Sequence, residues 1–297
     1  MAQKNRDINE LIGRVAKELC ADNSSIKDIE VMPNVGDIKE IMLLLRKIVF
    51  PEFFPSELDS ASNYPFIINA RLNSFFVNLQ KQIAAALHFC RSNKDECEPV
   101  EKVSFEKASE ALRQIPEIKR LLYTDVKAIY QSDPAVGDET QVVLCYPSIR
   151  AMIHYRFAHL LFELGVPLLP RIISEMAHSM TGIDIHPGAR IGEYFAIDHG
   201  TGVVIGKTCI IGNHVTIYQG VTLGAKNFIY DDNGHPVDVP RHPIIEDNVT
   251  IYSNASVLGR ITIGHDSIIG GNVWITNDLP PYSRVVQDRI KNEEFRM

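Results

Sequence analysis

From Ile245 onward an aliphatic residue returns every six positions: Ile245, Ile251, Val257, Ile263, Ile269 and Ile275. The same ladder stands earlier as Ile185, Ile191 and Ile197, then as Ile205, Ile211, Ile217 and Leu223. Four residues after each lead of the later run comes a small or medium residue: Val249, Ala255, Ile261, Ser267, Val273 and Leu279. A strand repeats every two residues and a helix every 3.6, so a steady step of six fits neither alone. It fits a short strand followed by a tight turn, three of which close one coil of a triangular prism with the aliphatics pointing at its axis. Chance alternation would lose this register within a few repeats.

The ladder breaks twice. Between Ile197 and Ile205 the step is eight, and the surplus falls at Asp198-His199-Gly200. Between Leu223 and Ile245 the step is twenty-two; this excursion, residues 224–243, ends in Arg241-His242-Pro243. Extra residues leave a solenoid as loops, and such loops tend to carry binding groups. An acid, an imidazole and two glycines at the first break are therefore free of the requirement to fill the prism.

Residues 1–181 have a different period. Apolar residues at three- and four-residue steps predict amphipathic helices over 8–19, 36–49, 65–89, 104–113, 115–130, 146–164 and 170–180. Gly165 and Pro167 mark one helix end, and Pro65 suits a first helical turn. The chain thus divides into a helical domain at 1–181, a prism at 182–280 and a tail at 281–297. A net charge of −7 argues against non-specific nucleic-acid binding. Five cysteines without metal-type spacing (Cys20, Cys90, Cys97, Cys145, Cys209) predict buried free thiols in a reducing cytosol. The N-terminal stretch has no apolar core of a secretion signal and no run is long enough to span a bilayer, so a cytoplasmic protein without membrane association is expected.

Several stretches taken together resemble the serine O-acetyltransferases of the hexapeptide-repeat acyltransferase superfamily. They are T-G-I-D-I-H-P-G-A-R-I-G at 181–192, I-D-H-G-T-G-V-V-I-G at 197–206, V-T-L-G at 221–224 and R-H-P-I-I at 241–245. Upstream, S-D-P-A at 132–135 and Y-P-S-I-R-A-M-I-H-Y-R-F-A-H at 146–159 add to it. The likeness runs from about residue 120 to 279. It implies an α+β protein, a helical N-terminal domain followed by a left-handed parallel β-helix. It further implies a homotrimer or dimer of trimers that joins acetyl-CoA to L-serine, with L-cysteine as feedback inhibitor.

Serine acetylation needs a base for a hydroxyl whose own pKa is far above 7, and a neutral imidazole is the natural candidate. The resemblance gives that role to His199, with Asp184 as the carboxylate that orients it. It puts Arg241 on the substrate carboxylate, Asp133 and Asp198 on its ammonium, and His242 near the reacting centre. A guanidinium suits a carboxylate because it donates in a planar fork. Backbone amides near Gly224, Ser253, Gly270 and Gly271 are candidates for the pantetheine arm of the co-substrate. No metal is expected: a zinc site would need three converging histidines, and His199, His214 and His242 do not follow such a pattern. Read without the likeness, Asp184 and Asp133 also suit turn or cap positions, and Arg241 a solvated loop. Acetyl transfer to a sugar or xenobiotic hydroxyl is the rival reaction, and a non-catalytic solenoid scaffold a third reading; Arg241 and the intact D-H and R-H-P pairs favour an amino-acid acceptor. The chain departs from the family pattern in its longer second loop, in I-Y-S-N-A at 251–255, and in a K-N-E-E-F-R-M end without a terminal isoleucine. That end makes a complex with the next enzyme of cysteine synthesis doubtful.

Overall fold

The computed structural model describes residues 11–18, 32–55, 63–90, 98–235 and 237–287. The helical part comprises α1 (11–18), α2 (Val35–Val49), α3 (Tyr64–Cys90), α4 (Val100–Arg113), α5 (Ile115–Ser132), α6 (Glu139–Cys145), α7 (Pro147–Glu163) and α8 (Leu169–Thr181). Helix α2 starts at Asn34, whose side chain accepts from the Asp37 amide at 3.1 Å, an ordinary N-cap. Helix α7 is buried on nearly all sides and packs against α5 and α8. The spacing had marked no helix at α6, and the first predicted helix lies partly outside the described residues, as do Cys20, Cys97 and the K-N-E-E-F-R-M end. Of the described thiols only Cys209 is buried, where burial pushes it up to about 12; Cys90 and Cys145 are exposed, against expectation.

Helix α8 stops at Gly182 in a left-handed C-cap, and strands follow at once. The first coil is β1 (Asp184–Ile185), β2 (Arg190–Ile191) and β3 (Ala196–Asp198); the second is β4 (Val204–Ile205), β5 (Ile210–Ile211) and β6 (Thr216–Tyr218). Then come β7 (Thr222–Gly224), β8 (Ile244–Ile245) and β9 (Thr250–Ile251), followed by β10 (Ser256–Leu258), β11 (Thr262–Ile263) and β12 (Ile268–Ile269). β13 (Trp274–Ile275) and β14 (Arg284–Val285) begin and end the last coil. Every pairing is parallel, and the strands stack into three sheets: A (β1, β4, β7, β10, β13), B (β2, β5, β8, β11) and C (β3, β6, β9, β12, β14). The ladder residues lie in register, Ile185 on Ile205 on Leu223 on Val257 on Ile275 in sheet A. Most are fully buried. The prism runs past residue 280, because β14 pairs with β12; the tail boundary expected at 281 falls inside the last coil.

A buried ion pair ties the helices to the first coil. Arg156 of α7 donates through two nitrogens to Asp125 of α5, both at 2.7 Å, and also to the carbonyls of Ile191 and Gly192. Asp125 in turn accepts from the Phe195 amide. Two helices and the B–C turn of the first coil thereby share one hydrogen-bond network. The aliphatic core continues without a gap from α2 to β13.

Candidate active site

The prism has three corners, and the sequence-predicted side chains divide between two of them. At the corner between sheets C and A, His199 follows β3 directly. The two surplus residues of the first break are absorbed there by left-handed backbone, φ 55° at His199 and 86° at Gly200. A non-glycine residue in that region costs on the order of 1–3 kcal/mol and is often found at functional sites. The His199 side chain is 74% exposed in the single chain, with Nε2 at 3.9 Å from the Asp198 carboxylate. Asp133, just after α5, joins the same corner. Its carboxyl lies below the usual range, chiefly through the Tyr146 hydroxyl, then the Ala135 amide, with the charge of His199 contributing. Tyr146 is pushed up to about 12 by burial and by that hydrogen bond to Asp133. Tyr218 and Tyr252 stack on the next two coils, ring centroids 5.0 Å apart. Tyr218 is raised by burial and by the nearby Asp198, so this corner is acidic and aromatic.

The corner between sheets A and B is basic. His242 is buried, and its Nδ1 accepts from the Thr208 amide at 3.2 Å, with the Thr208 hydroxyl at 2.8 Å. An accepting Nδ1 in a neutral ring leaves the proton on Nε2. The ring is held neutral, its pKa lowered to about 4 by burial and then by the Arg241 and Arg260 charges. His242 therefore offers Nε2–H as a fixed donor. It lies over Gly206, where a β-carbon would stand 2.0 Å from Cδ2 and 2.2 Å from Nε2. Arg241 is held by Asp238 at 3.6 Å and lies over the Phe228 ring at 5.6 Å. Its Nε is buried without a partner among the described residues. Lys207 also pairs with Asp238, and His186 nearby is lowered to about 4 by burial and the surrounding cations.

Asp184 lies on sheet A in the first coil. Its carboxylate, Glu175 and His178 of α8 bring one donor atom each within 4.8 Å of one another. No hydrogen bond or ion pair joins Asp184 to His199 among the described residues. Ser253, Gly270 and Gly271 lie at the acidic corner, and Gly224 at the basic one. The Gly270 amide is already taken by the Val285 carbonyl at 2.7 Å. His214 stacks on Tyr194 at the remaining corner, so His199, His214 and His242 stand at three different corners of one chain. Sequence reasoning had assigned no role to Tyr146, Thr208, Gly206, Glu175, His178 or Asp238. Two of these carry a signal in the sequence: Tyr146 opens the Y-P-S-I-R stretch and Gly206 closes I-D-H-G-T-G-V-V-I-G.

Within one chain the acidic and basic corners do not meet. Residues 202–206 separate them, about 13 Å of extended chain at ~3.3 Å per residue. They flank the same strand, β4, and so the same outer face of sheet A, where Val204 and Trp274 are exposed.

Comparison with known proteins bears on the fold and the family. Residues 242–277 match the family of bacterial transferase hexapeptide (six repeats). A serine acetyltransferase of Synechococcus elongatus described as plasmid-borne is 45% identical over 269 residues, which cover 89% of this chain and 84% of that one. The crystal structure of Entamoeba histolytica serine acetyltransferase 1 in complex with L-cysteine is 38% identical, with a TM-score of 0.72 over 83% of this chain and 85% of that one. The Neisseria gonorrhoeae serine acetyltransferase in complex with serine is 27% identical, with a TM-score of 0.55 over 84% and 95%.

Proposed function

The chain belongs to the serine acetyltransferase family and is a serine O-acetyltransferase, and from that premise we propose how its residues divide the reaction. His199 is the general base. It takes the proton of the serine hydroxyl while that oxygen attacks the thioester carbonyl of acetyl-CoA, and it returns the proton to the departing CoA sulfur. Transfer is direct, in a ternary complex, with no acyl-enzyme. Asp184 orients the imidazole and stabilises its charge, as the acid does in other acid–histidine–nucleophile sets. Arg241 holds the substrate carboxylate; Asp133 and Asp198 hold the ammonium. The Nε2–H of His242 faces the oxygen on which negative charge develops. The amides near Gly224, Ser253 and Gly271 line the pantetheine arm.

The observation that carries this reading is the charge division: an acidic corner with the exposed imidazole, a basic corner with a neutral donor histidine, on either side of one face. A zwitterionic acceptor needs both. We therefore place each complete site between two subunits of a homotrimer, one contributing His199 and the next Arg241 and His242 across the sheet A faces. L-cysteine, bound by the Entamoeba relative, fits the same clamp with a thiol in place of the hydroxyl, and the proposal makes it a feedback inhibitor. A cytoplasmic setting belongs to the same reading. The test is release of free CoA thiol from acetyl-CoA on addition of L-serine, with and without L-cysteine. Release with a sugar panel and not with L-serine would overturn the acceptor assignment. Arg241→Ala should raise the serine KM far more than that for acetyl-CoA; the reverse would refute the carboxylate clamp.

A further inference from the structure

Helices α2, α7 and α8 line a partly open pocket of about 200 Å³ that none of the residues assigned above lines. Three cations border it, Lys39 and Arg46 from α2 and Arg150 from α7, and no carboxylate does. None of the three forms an ion pair with a described residue. Arg46 sits over the Phe54 ring at 4.0 Å, and its Nε is buried without a described partner. Its pKa is lowered by burial and by the facing Arg150. Like charges gathered beside an apolar surface repel one another, and desolvation adds to that cost. An anion in the pocket offsets the repulsion and gives the half-buried Arg46 a counter-charge.

The fourth polar group narrows the choice of anion. His154 is buried, 8% exposed, and its Nδ1 lies 2.7 Å from the Arg150 carbonyl oxygen. A carbonyl only accepts, so Nδ1 carries the proton, and Nε2 keeps a lone pair with no described partner. Burial, and after it the Arg46 charge, lower the ring's pKa and so favour its neutral form. A ligand that satisfies this wall must present anionic oxygens to the guanidinium groups and a hydroxyl to Nε2. The remaining wall is apolar, built by Met42, Ile153, Met176 and Met180. Methionine adapts to irregular shapes, which suits a short aliphatic or aryl group. An ionised carboxylate has no O–H to give, whereas a phosphate monoester with its second pKa near ~6 has one in a large share of molecules around that pH.

We propose that this pocket is a binding site for a small organic phosphate monoester bearing a short apolar group, separate from the serine and acetyl-CoA sites. The test is isothermal titration of the full chain at pH 6 with n-hexyl phosphate, inorganic phosphate and hexanoate. Hexyl phosphate should bind saturably, at least tenfold tighter than the other two. The exposed pair Lys39→Gln/Arg150→Gln should weaken it at least tenfold while leaving serine KM and kcat unchanged. His154→Phe, which keeps the bulk and removes the lone pair, should narrow the preference for hexyl phosphate over hexanoate. No saturable binding below millimolar concentration would overturn the proposal. So would affinity unaltered in the double variant, or equal affinity for hexyl phosphate and hexanoate.

Discussion

Replacing Gly206 by alanine tests the role of His242 without touching a titrating or hydrogen-bonding group. The new β-carbon would stand 2.0 Å from His242 Cδ2 and 2.2 Å from Nε2. Ordinary contact begins near ~3.4 Å, so the ring must retreat by about 1.4 Å, or the strand must move as far. The ring has no slack, because Nδ1 is held by both donors of Thr208 and the residue is buried. A displacement of about 1 Å in a catalytic group costs roughly 10²-fold, or about 2.7 kcal/mol of barrier at 1.36 kcal/mol per decade. Crowding a packed site also costs about 1–3 kcal/mol of stability, so activity should be read well below the unfolding midpoint. The assay is CoA-thiol release at varied serine and acetyl-CoA. The loss should fall on kcat, since the cations at Arg241 and Arg260 stay in place. A folded Gly206→Ala enzyme within about twofold of the parent in kcat would refute a donor role for His242.

His199→Ala should lose about 10²–10⁴ in turnover, the range for a missing general base, in the same thiol assay. Mixing a His199→Ala chain with a His242→Ala chain, unfolded and refolded together, should restore part of the activity that each lacks alone; no recovery would argue against sites shared between subunits. Asp125→Asn leaves the buried Arg156 charge uncompensated and should cost about 3–5 kcal/mol, measured by urea unfolding at fixed protomer concentration. His242 titrates near 4 in the folded chain, below the ordinary value of about 6.5. On acidification the unfolded chain takes up that proton first, so its contribution to stability is full above about pH 6.5 and is lost as pH falls towards 4. The thermal midpoint should drop over that window, and less so in His242→Asn.

The prism was legible because its period is covalent: each lead aliphatic is six residues from the next, and only an axis-facing position explains that. The count failed at the last coil, where Leu279 takes the place over Ile263 only four residues after Ile275, and Val285 follows six residues later. It also missed α6, which at seven residues is too short to display a helical period. At the site, His199 and Arg241-His242 stood out because they fall at the breaks. Their partners did not. Thr208 reaches His242 only because successive coils stack residues 34 apart, and Glu175 and His178 reach Asp184 only because α8 docks beside β1. Cys90 and Cys145 read as buried thiols because cysteine count and spacing say nothing of where a helix turns its side chains; both are exposed.

Both interruptions enter at corners, and the ladder resumes in register beyond each: Ile197 still sits on Ile217, and Ile211 on Ile245. Insertion length and internal layering are therefore independent variables. Mutations that lengthen, shorten or rewrite residues 225–240 alter what the edge can recognise while every interior layer keeps its neighbours. A lineage built on this scaffold can exchange acceptors at its rims without having to rediscover a stable fold.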